Sequence, residues 1–272
     1  MKLLLRYQIV LIRKFFFLFF FFSIRIYAEV ICMKKVVFQE VGFVAKNQVI
    51  FDHFSFSLYE GTNVCLIGNA GVGKTTLIKM IGENFGYQGD ILKEGVCRTI
   101  LTNTISSHVS IFEYLHYSSL SKVEHQLILN YLNLKNLSYV VDELSVPFQL
   151  KVMVLEKILS KPKFLFIDDV LDVFSREEKR ELFDLLKTQE ITVFYVTSNI
   201  EDTLFFPYLV VMGNHGILME GSTLSILQEE KILKRLGFSL PFFVDLSLGL
   251  KSYGLIDQIY VNEKELMSAL WK

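Results

Sequence analysis

Gly68-Asn69-Ala70-Gly71-Val72-Gly73-Lys74-Thr75 meets the pattern G-x-x-x-x-G-K-[ST] at every position. Its glycines let the backbone turn tightly and aim N–H groups at a phosphate. Lys74 brings a cation to the outer phosphate oxygens, and the Thr75 hydroxyl can complete a Mg²⁺ shell. The flanks agree with this reading. Asn63-Val64-Cys65-Leu66-Ile67 reads as a buried strand, and Thr75-Thr76-Leu77-Ile78-Lys79-Met80-Ile81 reads as a helix whose first turn faces the anion. A glycine turn that binds nothing would lack both. The candidate binding residues are Gly68, Asn69, Ala70, Gly71, Val72, Gly73, Lys74, Thr75 and Thr76. The expected ligands are a nucleoside triphosphate and Mg²⁺.

Further along the chain, Lys163-Phe164-Leu165-Phe166-Ile167-Asp168-Asp169 is a second buried strand, with carboxylates at its C-terminal end. An apolar strand that delivers Asp168 beside a phosphate loop is the Walker B pattern, so Asp168 joins Thr75 as a candidate metal ligand. Ser175-Arg176-Glu177-Glu178 is a capping box that opens a helix carrying Leu182, Leu185 and Leu186. Ile191-Thr192-Val193-Phe194-Tyr195-Val196 and Leu209-Val210-Val211-Met212 are two more apolar strands. Strands that are apolar throughout and separated by helices imply a parallel sheet covered on both faces.

Before the glycine loop, Lys35 to Tyr59 alternates at the strand period, clearest in Phe54-Ser55-Phe56-Ser57-Leu58. Residues 90–103 suggest short strands, with Thr99-Ile100-Leu101 the clearest. Residues 109–160 turn helical: Val123, Leu127, Ile128, Tyr131 and Leu132 fall at spacings of three and four, as do Val152, Leu155, Ile158 and Leu159. The fold expected is α/β, a P-loop (RecA-like) parallel sheet with an N-terminal antiparallel β subdomain, an inserted helical subdomain and a small C-terminal extension. The insertion covers about residues 105–160.

Composition narrows the function. Among 272 residues the formal net charge is −1, which leaves no electrostatic footprint for nucleic acid. Cys32, Cys65 and Cys97 are scattered and odd in number, which argues for a reducing compartment and against a disulfide frame or a zinc site. His53, His108, His116, His125 and His215 fit no metal-ligand spacing. Residues 1–32 stand apart. Phe15-Phe16-Phe17-Leu18-Phe19-Phe20-Phe21-Phe22 is a low-complexity apolar run between basic residues, too short to span a bilayer as a helix. Three readings are open for this extension: an over-extended reading frame with Met33 as the true start, a membrane-surface anchor, or a signal peptide.

The order of elements resembles the ATP-binding subunits of ABC transporters, over roughly Lys35 to Lys272. The resemblance rests on the strands before the glycine loop, the helical insertion, Leu144-Ser145 upstream of Asp168, and Val196-Thr197-Ser198-Asn199 after the next strand. Gly216-Ile217-Leu218-Met219-Glu220-Gly221-Ser222 is similar to the family's closing hairpin. Leu233 to Phe242 and Glu263 to Leu270 look like the C-terminal extension of the energy-coupling-factor type. That resemblance implies a nucleotide-binding domain over 33–230 and an extension over 231–272. It implies ATP with Mg²⁺ and a second ATPase subunit, in a hetero- or homodimer. It also implies a transmembrane T component and a substrate-binding S component, on the cytoplasmic face of the membrane.

The resemblance also shows where the chain departs from the family. The L-S-G-G-Q signature is replaced by Leu144-Ser145-Val146-Pro147-Phe148; Pro147 has no N–H, and the side chains of Val146 and Phe148 obstruct backbone approach. Ser145 reads as a helix N-cap. The catalytic glutamate position holds Asp169, one methylene shorter, and the switch histidine position holds Ser198. Where an aromatic would stack on adenine the chain has Val44-Ala45, with Phe43 one position early; the Q-loop position has Thr102 or Asn103. Three functions follow as expectations: an importer ATPase subunit with weak or partner-dependent hydrolysis, in which Asp169 is the catalytic carboxylate; a non-hydrolysing ATP-binding module; and, against the placement of Leu144-Ser145, a P-loop small-molecule kinase.

Overall fold

Alternation at the strand period places one apolar face of the N-terminal hairpin against the core and leaves the other to solvent. The computed structural model describes residues 33–83 and 86–271, so the N-terminal extension lies outside the described residues. Strands β1 (Lys35–Ala45) and β2 (Gln48–Tyr59) are joined at Lys46 and Asn47, both at positive φ (48° and 64°), the geometry that matches strand twist in a tight hairpin. Then follow β3 (Val64–Gly68), helix α1 (Lys74–Gly82), β4 (Gln88–Lys93) and β5 (Cys97–Ile100). The hairpin and β4 make an antiparallel sheet in the order β2-β1-β4.

The helical insertion contains α2 (Ile111–Tyr114), α3 (Lys122–Leu132) and α4 (Val146–Leu159). The chain continues through β6 (Phe164–Asp168), α5 (Arg176–Thr188), β7 (Thr192–Val196), β8 (Tyr208–Gly213) and β9 (Gly216–Ser222). Four helices close it: α6 (Thr223–Leu227), α7 (Glu230–Arg235), α8 (Phe242–Ser252) and α9 (Glu263–Leu270). The central sheet has six strands in the order β5-β6-β7-β3-β8-β9. The first five are parallel, and β9 returns antiparallel to β8 as the closing hairpin.

Every residue of β3, β6 and β7 is buried, and the pleat divides them between two cores. Cys65, Ile67, Leu165, Ile167, Val193 and Tyr195 face a core shared with α4, α5 and the C-terminal residues Leu233, Leu240 and Val244. Val64, Leu66, Phe164, Phe166, Phe194 and Val196 face a second core, built with α1 and the antiparallel sheet. The parallel sheet sits between them, as the uniformly apolar strands require.

The capping box at Ser175 and Glu178 forms as read from the sequence, and two further S-x-x-E sets, Ser110/Glu113 and Ser121/Glu124, cap α2 and α3 in the same way. Val123 lies in α3, as its spacing implies. It is 79% exposed, because it lies five residues from buried Ile128 and so on the far side of α3. Gln149 is a polar residue within the apolar part of α4. Its Oε1 accepts from Ile105 N–H at 2.8 Å, and its Nε2 donates to the carbonyls of Leu144 (2.8 Å) and Asp142 (3.3 Å). One side chain thus satisfies three backbone groups, one buried and two partly buried. Replacing it with leucine of similar volume orphans all three. Gln149→Leu is expected to lower unfolding free energy by about 1–3 kcal/mol, measured by urea denaturation of the purified chain.

Candidate functional site

Strands β3, β6 and β7 run parallel and end at one edge of the sheet, so the residues just past their ends are gathered there. Those residues are the glycine loop, Asp168-Asp169 and Thr197-Ser198. Each glycine in the loop has its own physical reason. A Cβ on Gly68 would lie 2.9 Å from the Met212 carbonyl oxygen and 3.0 Å from its Cβ. Gly71 faces open space but sits at φ +83°, a conformation other residues adopt only with strain. Gly73 has both constraints: φ is +104°, and a Cβ there would come within 2.6 Å of Ile50 Cγ2 and 2.9 Å of Phe51 Cζ. The antiparallel sheet therefore presses on the loop through Ile50 and Phe51, and a bare backbone is the condition for that contact.

Lys74 opens α1 and folds back along the loop, with Nζ donating to the carbonyls of Gly68 (2.6 Å) and Asn69 (3.0 Å). Burial lowers the pKa of its ammonium, and the carboxylates of Asp169 and Asp168 act the other way. Asp168 is 8% exposed, and burial raises its carboxyl above the ordinary aspartate range; the neighbouring Thr75 hydroxyl opposes that rise, Asp169 adds to it, and Lys74 opposes it. The residues present fit ATP with Mg²⁺. Sterics at Gly68 and Gly73 and positive φ at Gly71 favour a bare backbone in the cradle, a cation stands at its rim, and a hydroxyl and a buried carboxylate supply the hard oxygen donors that Mg²⁺ takes. Lys74 and the loop backbone would hold the phosphates, and Thr75 and Asp168 the metal. Asn69, Ala70, Val72 and Thr76 lie within or directly beside the same loop.

Asp169 has φ +46°, which turns its carboxylate toward the end of β7. There Oδ1 accepts from Ser198 N–H at 3.0 Å and Oδ2 from the Ser198 hydroxyl at 2.7 Å. Asp169 N–H in turn donates to the Val196 carbonyl at 2.8 Å. The two positions where the chain departs from the family's chemistry are thus bonded to each other. Sequence reading treated them separately, and no spacing rule joins residues from the ends of different strands.

The remaining candidates lie as follows. Ser145 occupies the N-cap position of α4, but its side chain makes no capping bond; its carbonyl accepts from Phe148 and Gln149 N–H instead, while Pro147 fills the first turn. Phe43 pairs across the hairpin with Phe51 and packs against the core under the antiparallel sheet, whereas Val44 is exposed. Thr102 bonds locally to Thr104 at the end of β5. Among the described residues no cluster of His, Cys, Asp and Glu could hold a metal ion on its own.

Sequence reading also missed a buried polar group behind the site. Lys179 and Asp202 are 4% exposed each and pair at 2.5 Å, and the same Asp202 oxygen accepts from the hydroxyls of Tyr195 (3.0 Å) and Thr197 (3.4 Å). A lysine inside an otherwise charged amphipathic helix gives no signal of burial, and its partner lies across the fold.

The ABC transporter family matches over residues 51–172. The energy-coupling factor transporter ATP-binding protein EcfA1 of Mesomycoplasma hyopneumoniae (strain J) is 23% identical over 255 residues, covering 83% of this chain and 92% of that protein. EcfA of Malacoplasma penetrans is 24% identical over 255 residues, with 83% and 88% covered. The spermidine/putrescine import ATP-binding protein PotA of Legionella pneumophila (strain Paris) is 28% identical over 196 residues, covering 62% of this chain and 54% of that protein. In fold, the chain is similar to an ATP binding subunit of an ABC transporter, with a TM-score of 0.64 at 19% identity over 74% of this chain and 97% of that one. It is also similar to a bacterial Atm1-family ABC exporter with ATP bound, with a TM-score of 0.68 at 15% identity over 75% of this chain and 41% of that one. The resemblance to ABC ATP-binding subunits, those of energy-coupling factor transporters among them, is therefore shown, as is the α/β P-loop fold.

Two outcomes test the site. Gly73→Ala is expected to weaken ATP binding at least about a hundredfold with Lys74 intact, because the methyl displaces Ile50 and Phe51 and strains the loop; equilibrium binding measures it. Because the Asp168 carboxyl holds its proton at higher pH than an ordinary aspartate, Mg²⁺-dependent ATP affinity should fall as pH drops, and the fall should begin above the usual carboxylate range. Titration in Mg²⁺ and in EDTA between about pH 7.5 and 5 separates that loss from any effect on the nucleotide alone.

Proposed function

We propose that this chain is the ATP-binding subunit of an ABC-type membrane importer, similar to energy-coupling-factor systems. It would work at the cytoplasmic face beside a second ATPase subunit, a transmembrane T component and a substrate-binding S component. The observation that carries the proposal is an asymmetry within one site. Gly68, Gly71, Gly73, Lys74, Thr75 and Asp168 keep the geometry of a phosphate and metal cradle. Asp169 and Ser198, where the family places hydrolytic groups, are bonded to each other. Bound ATP would supply the phosphoanhydride, and this chain's residues hold and orient it. Binding draws two subunits together and release parts them, and that motion is what a membrane partner would read.

Asp169 is the proposed carboxylate for hydrolysis, and its two hydrogen bonds from Ser198 hold it turned toward the end of β7. That restraint would make hydrolysis slow in the isolated chain. The second reading is a non-hydrolysing ATP-binding module in a heterodimer. It is favoured by the same bidentate contact and by Pro147, which withholds an N–H from the α4 terminus that would meet a partner's nucleotide.

Lys74→Ala is expected to abolish ATP·Mg²⁺ binding in isothermal titration; unchanged affinity would overturn the nucleotide reading. Single-turnover hydrolysis by the purified chain should be slow or undetectable. Acceleration by a co-expressed second ATPase supports the importer subunit, and its absence supports the binding module.

A further inference from the structure

We infer that the C-terminal extension controls the Asp169–Ser198 contact, and that Glu201 is the positioning residue through which it acts. The inference rests on the site reading above, in that Ser198 occupies the switch position of a nucleotide site; the contacts themselves stand apart from it.

Residues 197–205 leave β7 and run as a loop and then a 3₁₀ turn, Ile200–Phe205. Buried groups anchor its inner side. The Thr197 hydroxyl accepts from Asn199 N–H at 3.0 Å and donates to Asp202, and Asp202 pairs with Lys179. Thr203 is fully buried, with its hydroxyl on the Ile200 carbonyl at 2.6 Å. On the outer side, Asn199 Oδ1 accepts from Glu201 N–H at 3.0 Å. The Glu201 carboxylate then leaves the loop altogether. Its Oε1 accepts from Phe242 N–H at 3.0 Å, the first N–H of α8, and its Oε2 lies 4.0 Å from Arg176 at the start of α5. A cleft of about 450 Å³ lies alongside, lined in part by Asp172, Arg176, Lys179, Asn199 and Glu201, so the loop has room to move on that side.

A carboxylate at the start of an eleven-residue helix is held by a free N–H and by the helix dipole. The contact spans 41 residues of sequence and joins the extension to the loop that carries Ser198. Moving α8 therefore pulls on Glu201, then through Asn199 on Ser198, and so on the two hydrogen bonds that occupy the Asp169 carboxylate. A partner that shifts the extension would release Asp169 without touching the nucleotide cradle. The exposed surface of α8 and its C-terminal flank, with Phe242 at 66% and Tyr253 at 82%, is where such a shift can be applied.

Phe242 allows a test that removes one N–H and little else. It is the first residue of α8, where proline is well tolerated, and the preceding Pro241 already has the extended backbone (φ −55°, ψ 137°) that a following proline requires. Phe242→Pro deletes the donor, and Phe242→Ala keeps it. Glu201→Ala deletes the acceptor, while Glu201→Gln keeps an oxygen there. Amide hydrogen exchange of the full chain without nucleotide should show Ser198 exchanging about tenfold faster in Phe242→Pro and in Glu201→Ala, and at the wild-type rate in Phe242→Ala and Glu201→Gln. The double variant Glu201→Ala/Phe242→Pro should be no faster than either single one. ATP affinity should not change in any of them, because the cradle is untouched. A wild-type rate at Ser198 in Phe242→Pro, multiplied effects in the double variant, or acceleration spread evenly over β6 and β7 would each overturn the inference. Failure of wild-type chain to bind ATP would sink the nucleotide reading and leave the exchange result intact.

Discussion

Parallel strands buried on both faces take a polar side chain along their length only where it finds a hydrogen-bond partner, as Thr192 and Tyr195 do. Their backbone groups are satisfied by neighbours and their side chains by two apolar cores, so any chemistry must stand where the strands stop. Here β3 stops at Gly68, β6 at Asp168 and β7 at Val196. The glycine loop, Asp168 and the Asp169–Ser198 contact all stand at those three endpoints. A register change of one residue in β6 would exchange its side chains between the two cores and move Asp168 from its place at the edge.

Partial burial at that edge has electrostatic consequences. Asp168 and Lys74 are each pushed toward their neutral forms by lost hydration, and each is held back by the opposite charge of the other. A di- or trivalent anion with its metal would complete the compensation, which is how a cradle can be stable on its own and still favour its ligand. Behind the edge, the Lys179–Asp202 pair is compensated internally. Its hydroxyl donors from Tyr195 and Thr197 give it the extra hydrogen bonds without which a buried ion pair destabilises a fold. That pair anchors the inner wall of the 197–205 loop, while on the outer side the Glu201 carboxylate accepts the first N–H of α8.

Gly68, Gly71 and Gly73 are held by sterics and backbone conformation within this chain, so their replacement would disturb the fold locally as well as the ligand. Pro147, Asp169 and Ser198 are the positions at which the chain departs from the pattern it resembles. None of them is constrained by packing in the same way: Asp169 and Ser198 are exposed, and Pro147 is in the first turn of α4.

Much of this was legible in the amino-acid sequence. The glycine loop, the apolar strands, the Ser175 capping box and the closing hairpin depend on residues near one another in the chain, where periodicity and turn chemistry operate. Sequence alone picked out the glycine loop and the strand end at Asp168, which the fold brings to one edge of the sheet. It could not show that Asp169 is bonded to Ser198, that Lys179 is buried against Asp202, or that Glu201 reaches α8. Each of those contacts joins residues at least 23 positions apart and on different elements. Only the order of the strands, set by burying two cores at once, decides which ends become neighbours. Val123 and Ser145 show the same limit at short range. Helical spacing alone did not say which side of α3 the core would take, and a serine in the N-cap position bonds the first turn only if its rotamer is turned that way in the assembled fold.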